Sequence, residues 1–243
     1  MISQSMQELR EKCSKDYYDN NARRLHYALL YVTQYFLKTD ITPNQITVFW
    51  LFLQLIAAGF MLFGTYSFNV IGILLYTLAG FLDAIDGQIA RIKKMSSYKG
   101  IFLEWLGVCF GSPPFFIAFS IGIARVYNNP WYIVFGLISA FALLYSKIIA
   151  INPLDYKLEM RENVLALRNN LSMRNKNKRF SFLYLLTRRS NPFNLLFILI
   201  MLNLPLAALI IYTILYMLEF MRRLYSQLMD LHKLDQNLRF DKV

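Results

Sequence analysis

Between residues 41 and 154 the chain carries only three acidic side chains, Asp83, Asp86 and Glu104. Asp83 and Asp86 are three residues apart, which puts both on one face of a helix. Glu104 lies about one turn into the next apolar run, beyond a short polar connection. Three carboxylates can therefore converge at one depth. An acidic side chain at the centre of a membrane helix costs roughly 2.5–3.5 kcal/mol, less near the interface. Carboxylates sharing a site also repel one another. A divalent cation relieves both penalties. Oxygen ligands without histidine or cysteine select Mg2+, Mn2+ or Ca2+ over zinc, and Mg2+ typically keeps positions open for substrate phosphates. Asp83, Asp86 and Glu104 are thus candidate metal ligands.

Their neighbours suit a phosphate-bearing substrate. Gly87 permits close approach beside Asp86, and Arg91 can hold a phosphate through two parallel hydrogen bonds. Lys93, Lys94 and Lys99 add positive field, and Gly100 allows close packing beside Glu104. The competing reading, a buried salt network of the acids with Arg91 and the lysines, leaves both glycines unexplained. Cys13 and Cys109 are far apart and read as ordinary thiols. His26 and His232 are equally isolated and suggest no metal site. No Gly-rich phosphate loop or nucleophile elbow is present.

The elements that must position these groups follow from composition. The chain has 243 residues, 56% of them hydrophobic, with a mean hydropathy of +0.36. Its apolar residues come in blocks long enough to span a bilayer, so the expected fold is an all-α integral membrane protein. Six transmembrane helices are expected near 46–66, 69–86, 101–124, 130–150, 192–203 and 205–221. An amphipathic surface helix over 22–38 precedes them. Pro43 fits the first turn of the first span, with Thr42 as its cap. The expected organisation is a cytoplasmic segment 1–45, a membrane domain 46–221, and a cytoplasmic amphipathic helix 222–243. That last helix could lie on the membrane or pair with a second copy. The polar first 40 residues do not read as a signal peptide.

Net charge is +11. With six spans, 25 of the 26 Lys and Arg fall on one side and Arg125 alone on the other. This bias places both termini and the acidic cluster in the cytoplasm. One long helix kinked at Pro205, giving five spans, would send Arg222 and Arg223 to the opposite face and is rejected. The basic stretch 157–189 reads as a loop against anionic headgroups rather than a nucleic-acid site.

The stretch "DAIDGQIARIKKMSSYKGIFLEWLGV" resembles the signature of the CDP-alcohol phosphotransferases, D-x2-D-G-x2-A-R-x8-G-x3-D-x3-D. Asp83, Asp86, Gly87, Ala90, Arg91 and Gly100 match it at the same spacing. "TPNQIT" resembles the TPN-x2-T stretch at the start of that family's first span. The resemblance implies transfer of a phosphatidyl or related phospho-alcohol group from a CDP-linked donor to a hydroxyl acceptor, with release of CMP. It also implies two divalent ions on the diphosphate, held in part by Asp83 and Asp86. Gly87, Ala90, Arg91 and Gly100 would belong to the CDP site, with Asn44 and Thr47 near the donor. Members often form dimers.

The chain departs from this pattern twice. Glu104 stands where the family has its third Asp and keeps a carboxylate. Val108 stands at the fourth Asp, the family's proposed general base, and can neither ligate nor take a proton. Three readings follow: an active enzyme with a rearranged site, in which Glu104 takes the proton or a metal-bound acceptor oxygen deprotonates more easily, a CDP-lipid-binding homologue without turnover acting as partner or regulator, or a channel or carrier. Lys147, Arg188 and Arg189 are candidate acceptor-binding groups, or simply membrane-flanking charges. The charge bias makes a direct prediction. In a cysteine-free background, Lys176→Cys should react with a membrane-impermeant maleimide only after permeabilisation, whereas Asn129→Cys should react in intact cells. The reverse pattern would overturn the topology.

Overall fold

A computed structural model describes residues 20–95, 97–148 and 194–240, together with Met6, Glu8 and Leu9. Every regular element among them is an α-helix: α1 (Asn20–Leu37), α2 (Pro43–Met61), α3 (Tyr66–Ile92), α4 (Tyr98–Phe110), α5 (Ser112–Val126), α6 (Tyr132–Ile148), α7 (Leu195–Met201) and α8 (Pro205–Phe240). Four stretches are long and apolar enough to cross a membrane: α2, α3, α4–α5 together, and Pro205–Met229 of α8. The apolar part of α6, Tyr132–Ser146, is shorter.

Local chemistry explains the helix ends. The Thr42 hydroxyl accepts from Gln45 N, and Gln45 Oε1 accepts from Thr42 N, with Pro43 in the first turn. This is a capping box at the start of α2. Three helices end on a residue with positive φ: Lys94, Asn128 and Asn203. In each, that residue's N–H bonds three residues back and the next N–H bonds five back, as in Met95 N to Ala90 O and Leu204 N to Leu199 O. This is the Schellman closure.

The expected spans need adjusting. The second runs on past 86 to Ile92, so both aspartates lie well inside one continuous helix. The third is interrupted at Gly111, where Ser112-Pro113-Pro114 begins α5; a proline ring cannot sit in an unbroken helix interior. Near Pro205 the chain turns rather than kinks. Leu196 N bonds the Tyr212 hydroxyl, so α7 and α8 run antiparallel about the 202–204 turn. The last span and the C-terminal helix form one continuous helix, α8. Most of the segment before α7, including Arg188 and Arg189, lies outside the described residues, as does Cys13. Cys109 is a free, half-buried thiol.

The bundle has two ends. At one, Arg125 donates to Leu62 O and Tyr66 to Met201 O. At the other, Lys93 donates to Thr39 O and Arg223 to Ser146 O. Between them lies an aromatic core including Tyr76, Phe115, Phe116, Phe119 and Tyr212. A smaller cluster of Ile46, Trp50, Ala79, Leu82, Ile85 and Ile89 lies toward the Lys93 end. α1 packs on the end of α3 with His26, Leu30 and Thr33 inward, while Tyr31, Val32 and Tyr35 stay exposed. Its polar anchor is Gln88: the Thr33 hydroxyl donates to Gln88 Oε1 at 2.5 Å, and Gln88 Nε2 donates to His26 O at 2.8 Å.

At the Leu62 end α5 crosses the end of α2 so closely that a Cβ on Gly122 would lie 2.1 Å from Met61 O. Backbone cannot yield there as a flexible side chain can. Gly122→Ala should therefore cost about 1–3 kcal/mol, read as a lowered unfolding midpoint in detergent. An unchanged midpoint would show that the crossing is looser.

Candidate functional site

The site is built on three helices. α3 supplies Asp83 and Asp86 near its Lys93 end, α2 supplies its capped N-terminal turns, and α4 starts alongside. Asp86 is 9% exposed. Its Oδ2 accepts from the Thr47 hydroxyl at 2.6 Å and from the Trp50 indole N–H at 2.8 Å. Thr47 also contacts Pro43 O at 3.0 Å. The side-chain donors to this carboxylate are thus neutral, not Arg91 or a lysine, so the salt-network expectation does not describe Asp86. Asp83 stands one turn earlier on α3 and is half-buried.

The helical register brings α4 into the same layer. A Cβ on Gly100 would lie 2.9 Å from Asn44 Oδ1, one on Gly107 would lie 2.0 Å from the Trp50 ring, and one on Gly111 would overlap the Gln54 amide. Asn44, Trp50 and Gln54 follow one another along α2, as the three glycines do along α4. The two helices therefore run parallel in close contact, and position 104 stands level with positions 47 and 48. Thr47 in turn touches Asp86. Backbone geometry thus puts Glu104 in the layer of the two aspartates, on the glycine face of α4. The side chains of Glu104, Val108 and Lys147 are outside the described set. Among the described residues no group of three His, Cys, Asp or Glu could hold a metal ion.

Arg91 sits one turn after Gly87. A Cβ on Gly87 would meet only the Arg91 guanidinium, at 3.7–3.8 Å. Protein packing alone therefore does not require glycine there. Arg91 Nε is buried without a hydrogen-bond partner among the described residues. Ala90 is half-buried in the last turn of α3, and Lys94 and Lys99 are exposed around the α3–α4 turn.

The donor set suits a hard cation. A ligating carboxylate is commonly fixed by hydrogen bonds from outer-shell groups, and Thr47 and Trp50 fix Asp86 in that way. The site holds a guanidinium whose Nε has no partner among the described residues, beside an open glycine and about one turn from an oriented carboxylate. That combination can bind a diphosphate and a divalent ion together.

Trp50, Gln54 and Gln88 have no place in the motif-based expectation. Trp50 could have been found from sequence, because it lies three residues after Thr47 and so shares its face. Within an apolar span it reads as lipid-facing or core. Gln54 is fully buried against Gly111, with neither amide atom hydrogen-bonded among the described residues.

Removing the Asp86 carboxylate would leave the buried Trp50 N–H without this acceptor, at about 1–3 kcal/mol for an unsatisfied buried group, while the Thr47 hydroxyl can turn to Pro43 O. Asp86→Ala should therefore lower the unfolding midpoint clearly, Asp86→Asn less, and Asp83→Ala least. Equal midpoints for Asp86→Ala and Asp83→Ala would contradict this.

No curated protein matches the chain. Residues 40–221 match the CDP-alcohol phosphatidyltransferase family. The matched region runs from the Thr42 cap of α2, through both aspartates and the α4 glycines, into α8. It leaves out α1 and the end of α8. With apolar helices able to cross a membrane and a site of this composition, the chain belongs to the CDP-alcohol phosphatidyltransferase family of transferases.

Proposed function

We propose that the protein transfers a phosphatidyl or related phospho-alcohol group from a CDP-linked lipid donor to a hydroxyl acceptor, releasing CMP, in polar-lipid biosynthesis. The observation that carries this reading is the layer formed by Asp86, Thr47 and Asn44, with the Arg91 guanidinium laid over Gly87 one turn away. Arg91, whose Nε has no hydrogen-bond partner among the described residues, would hold the donor diphosphate, with Gly87 and Ala90 giving it room and Asn44 and Gly100 bordering it. Asp83, Asp86 and Glu104 would hold Mg2+ or Mn2+. A bound divalent ion would neutralise charge on the diphosphate and on departing CMP. The acceptor oxygen would form a bond to the donor phosphorus as the bond to the CMP oxygen breaks. Its proton would go to Glu104, the carboxylate nearest the position where Val108 offers none. Lys147, Arg188 and Arg189 would receive a charged acceptor.

Location follows from helix length. α3 has 27 residues, about 40 Å at 1.5 Å per residue, against a hydrocarbon core of about 30 Å. If the core begins near Tyr66, it ends close to Asp86. The site would then lie where hydrocarbon gives way to headgroups, within reach of a lipid donor from the bilayer and an acceptor from water. By the charge bias that side would be cytoplasmic, with six spans and α1 on the membrane surface, and a second copy of the chain would be a partner.

The substitution at Val108 favours a second reading, a CDP-lipid-binding partner or regulator without turnover. One assay separates the two. Purified protein with Mg2+, a CDP-linked lipid and a panel of alcohols should release CMP with at least one acceptor, and chelation should stop it. General-base help is worth about 10²–10⁴-fold, so Val108→Asp would raise a slow rate. Cation-dependent CDP binding without CMP release from any acceptor would select the binding reading.

A further inference from the structure

We infer that Trp50, a residue outside the family motif, is a positioning residue that fixes Asp86 as a one-oxygen ligand for a divalent cation. The inference rests on the metal-site reading above. A carboxylate oxygen has two in-plane lone-pair sites. On Asp86 Oδ2 both are taken, by Thr47 Oγ1 at 2.6 Å and Trp50 Nε1 at 2.8 Å. Oδ1 is then the oxygen left for an ion, and chelation through both oxygens is closed. The two donors come from one face of α2, three residues apart.

Trp50 is itself fixed. It is 1% exposed and lies in the cluster of Ile46, Leu82, Ile85 and Ile89. Its ring edge lies where a Cβ on Gly107 would be, 2.0 Å from Cη2, so α4 accommodates the indole only because position 107 is glycine. The indole therefore joins three helices: carried by α2, seated on α4, and bonded to the α3 carboxylate. Its geometry also couples Asp86 to α4, where Glu104 and Val108 reside. At a site with valine in place of one carboxylate, the alignment of the remaining ones carries more of the ion's binding. Losing an outer-shell partner typically costs 10–100-fold in metal affinity.

The test uses the full chain in detergent, with Mn2+ alone as probe and free Mn2+ read by electron paramagnetic resonance. Two variants remove the N–H while keeping an aromatic ring: Trp50→Phe, and replacement of Trp50 by the sulfur isostere benzothienylalanine, which preserves the bicyclic shape. Both should bind Mn2+ about tenfold more weakly or worse. The isostere should unfold within a few degrees of the wild-type midpoint. In the CMP-release assay the Mg2+ concentration for half-maximal rate should rise by a similar factor, with the rate at saturating Mg2+ changing less than threefold. Wild-type Mn2+ affinity in the folded isostere would overturn the positioning role and leave the metal site standing. Absence of Mn2+ binding in the wild-type chain would overturn the metal-site reading, and this inference with it.

Discussion

The structure depends on one desolvated carboxylate. An ionised Asp held among apolar helices is costly unless its oxygens meet donors, and Asp86 meets two on the neighbouring helix. That requirement sets the relation of α2 to α3: Thr47 and Trp50 must face inward at the level of residue 86. It also sets α4, because an indole between α2 and α3 leaves room for a third helix only where that helix has no side chain. Gly107 meets this condition, and Gly100 and Gly111 continue it in both directions.

Packing of this kind suits a membrane. Lipid tails are as apolar as leucine, so helices associate through close contact and interhelical hydrogen bonds rather than through escape from water. The glycine face of α4 gives the first. Tyr76 to Ser112 and the contact between Ser139 and Thr213 give the second, tying α3 to α5 and α6 to α8. Asn194 and the Tyr212 hydroxyl do the same between the start of α7 and α8. α1 joins by the same means, through Gln88, only two residues beyond Asp86. α1 is thus fastened to the helix that carries Asp83 and Asp86 by buried polar groups.

The two departures from the family pattern fall on one helix. Glu104 and Val108 both belong to α4, while the α3 half of the motif and the TPN stretch of α2 are intact. The variation is therefore confined to α4, while the residues of the family pattern on α2 and α3 are kept. Glutamate at 104 keeps a carboxylate and adds one methylene. A valine at 108 removes a group without enlarging the side chain that α4 must accommodate.

Much of the fold and part of the site could be read from the chain because the signals are local. Caps at Thr42 and Pro43, apolar run lengths and the i, i+3 spacing of Asp83 and Asp86 all depend on neighbours within a turn or two. The family signature is likewise a short-range pattern. The break at Gly111 has a local sign in Ser112-Pro113-Pro114, but the run around it is apolar throughout and reads as one span. What the tertiary structure alone decided are the long-range partners: Trp50 on Asp86, Gly107 under Trp50, Gln88 beneath α1. Each joins residues at least 36 positions apart. No spacing rule reaches that far, because which face of one helix meets which face of another is fixed only when close packing and every buried donor are satisfied together.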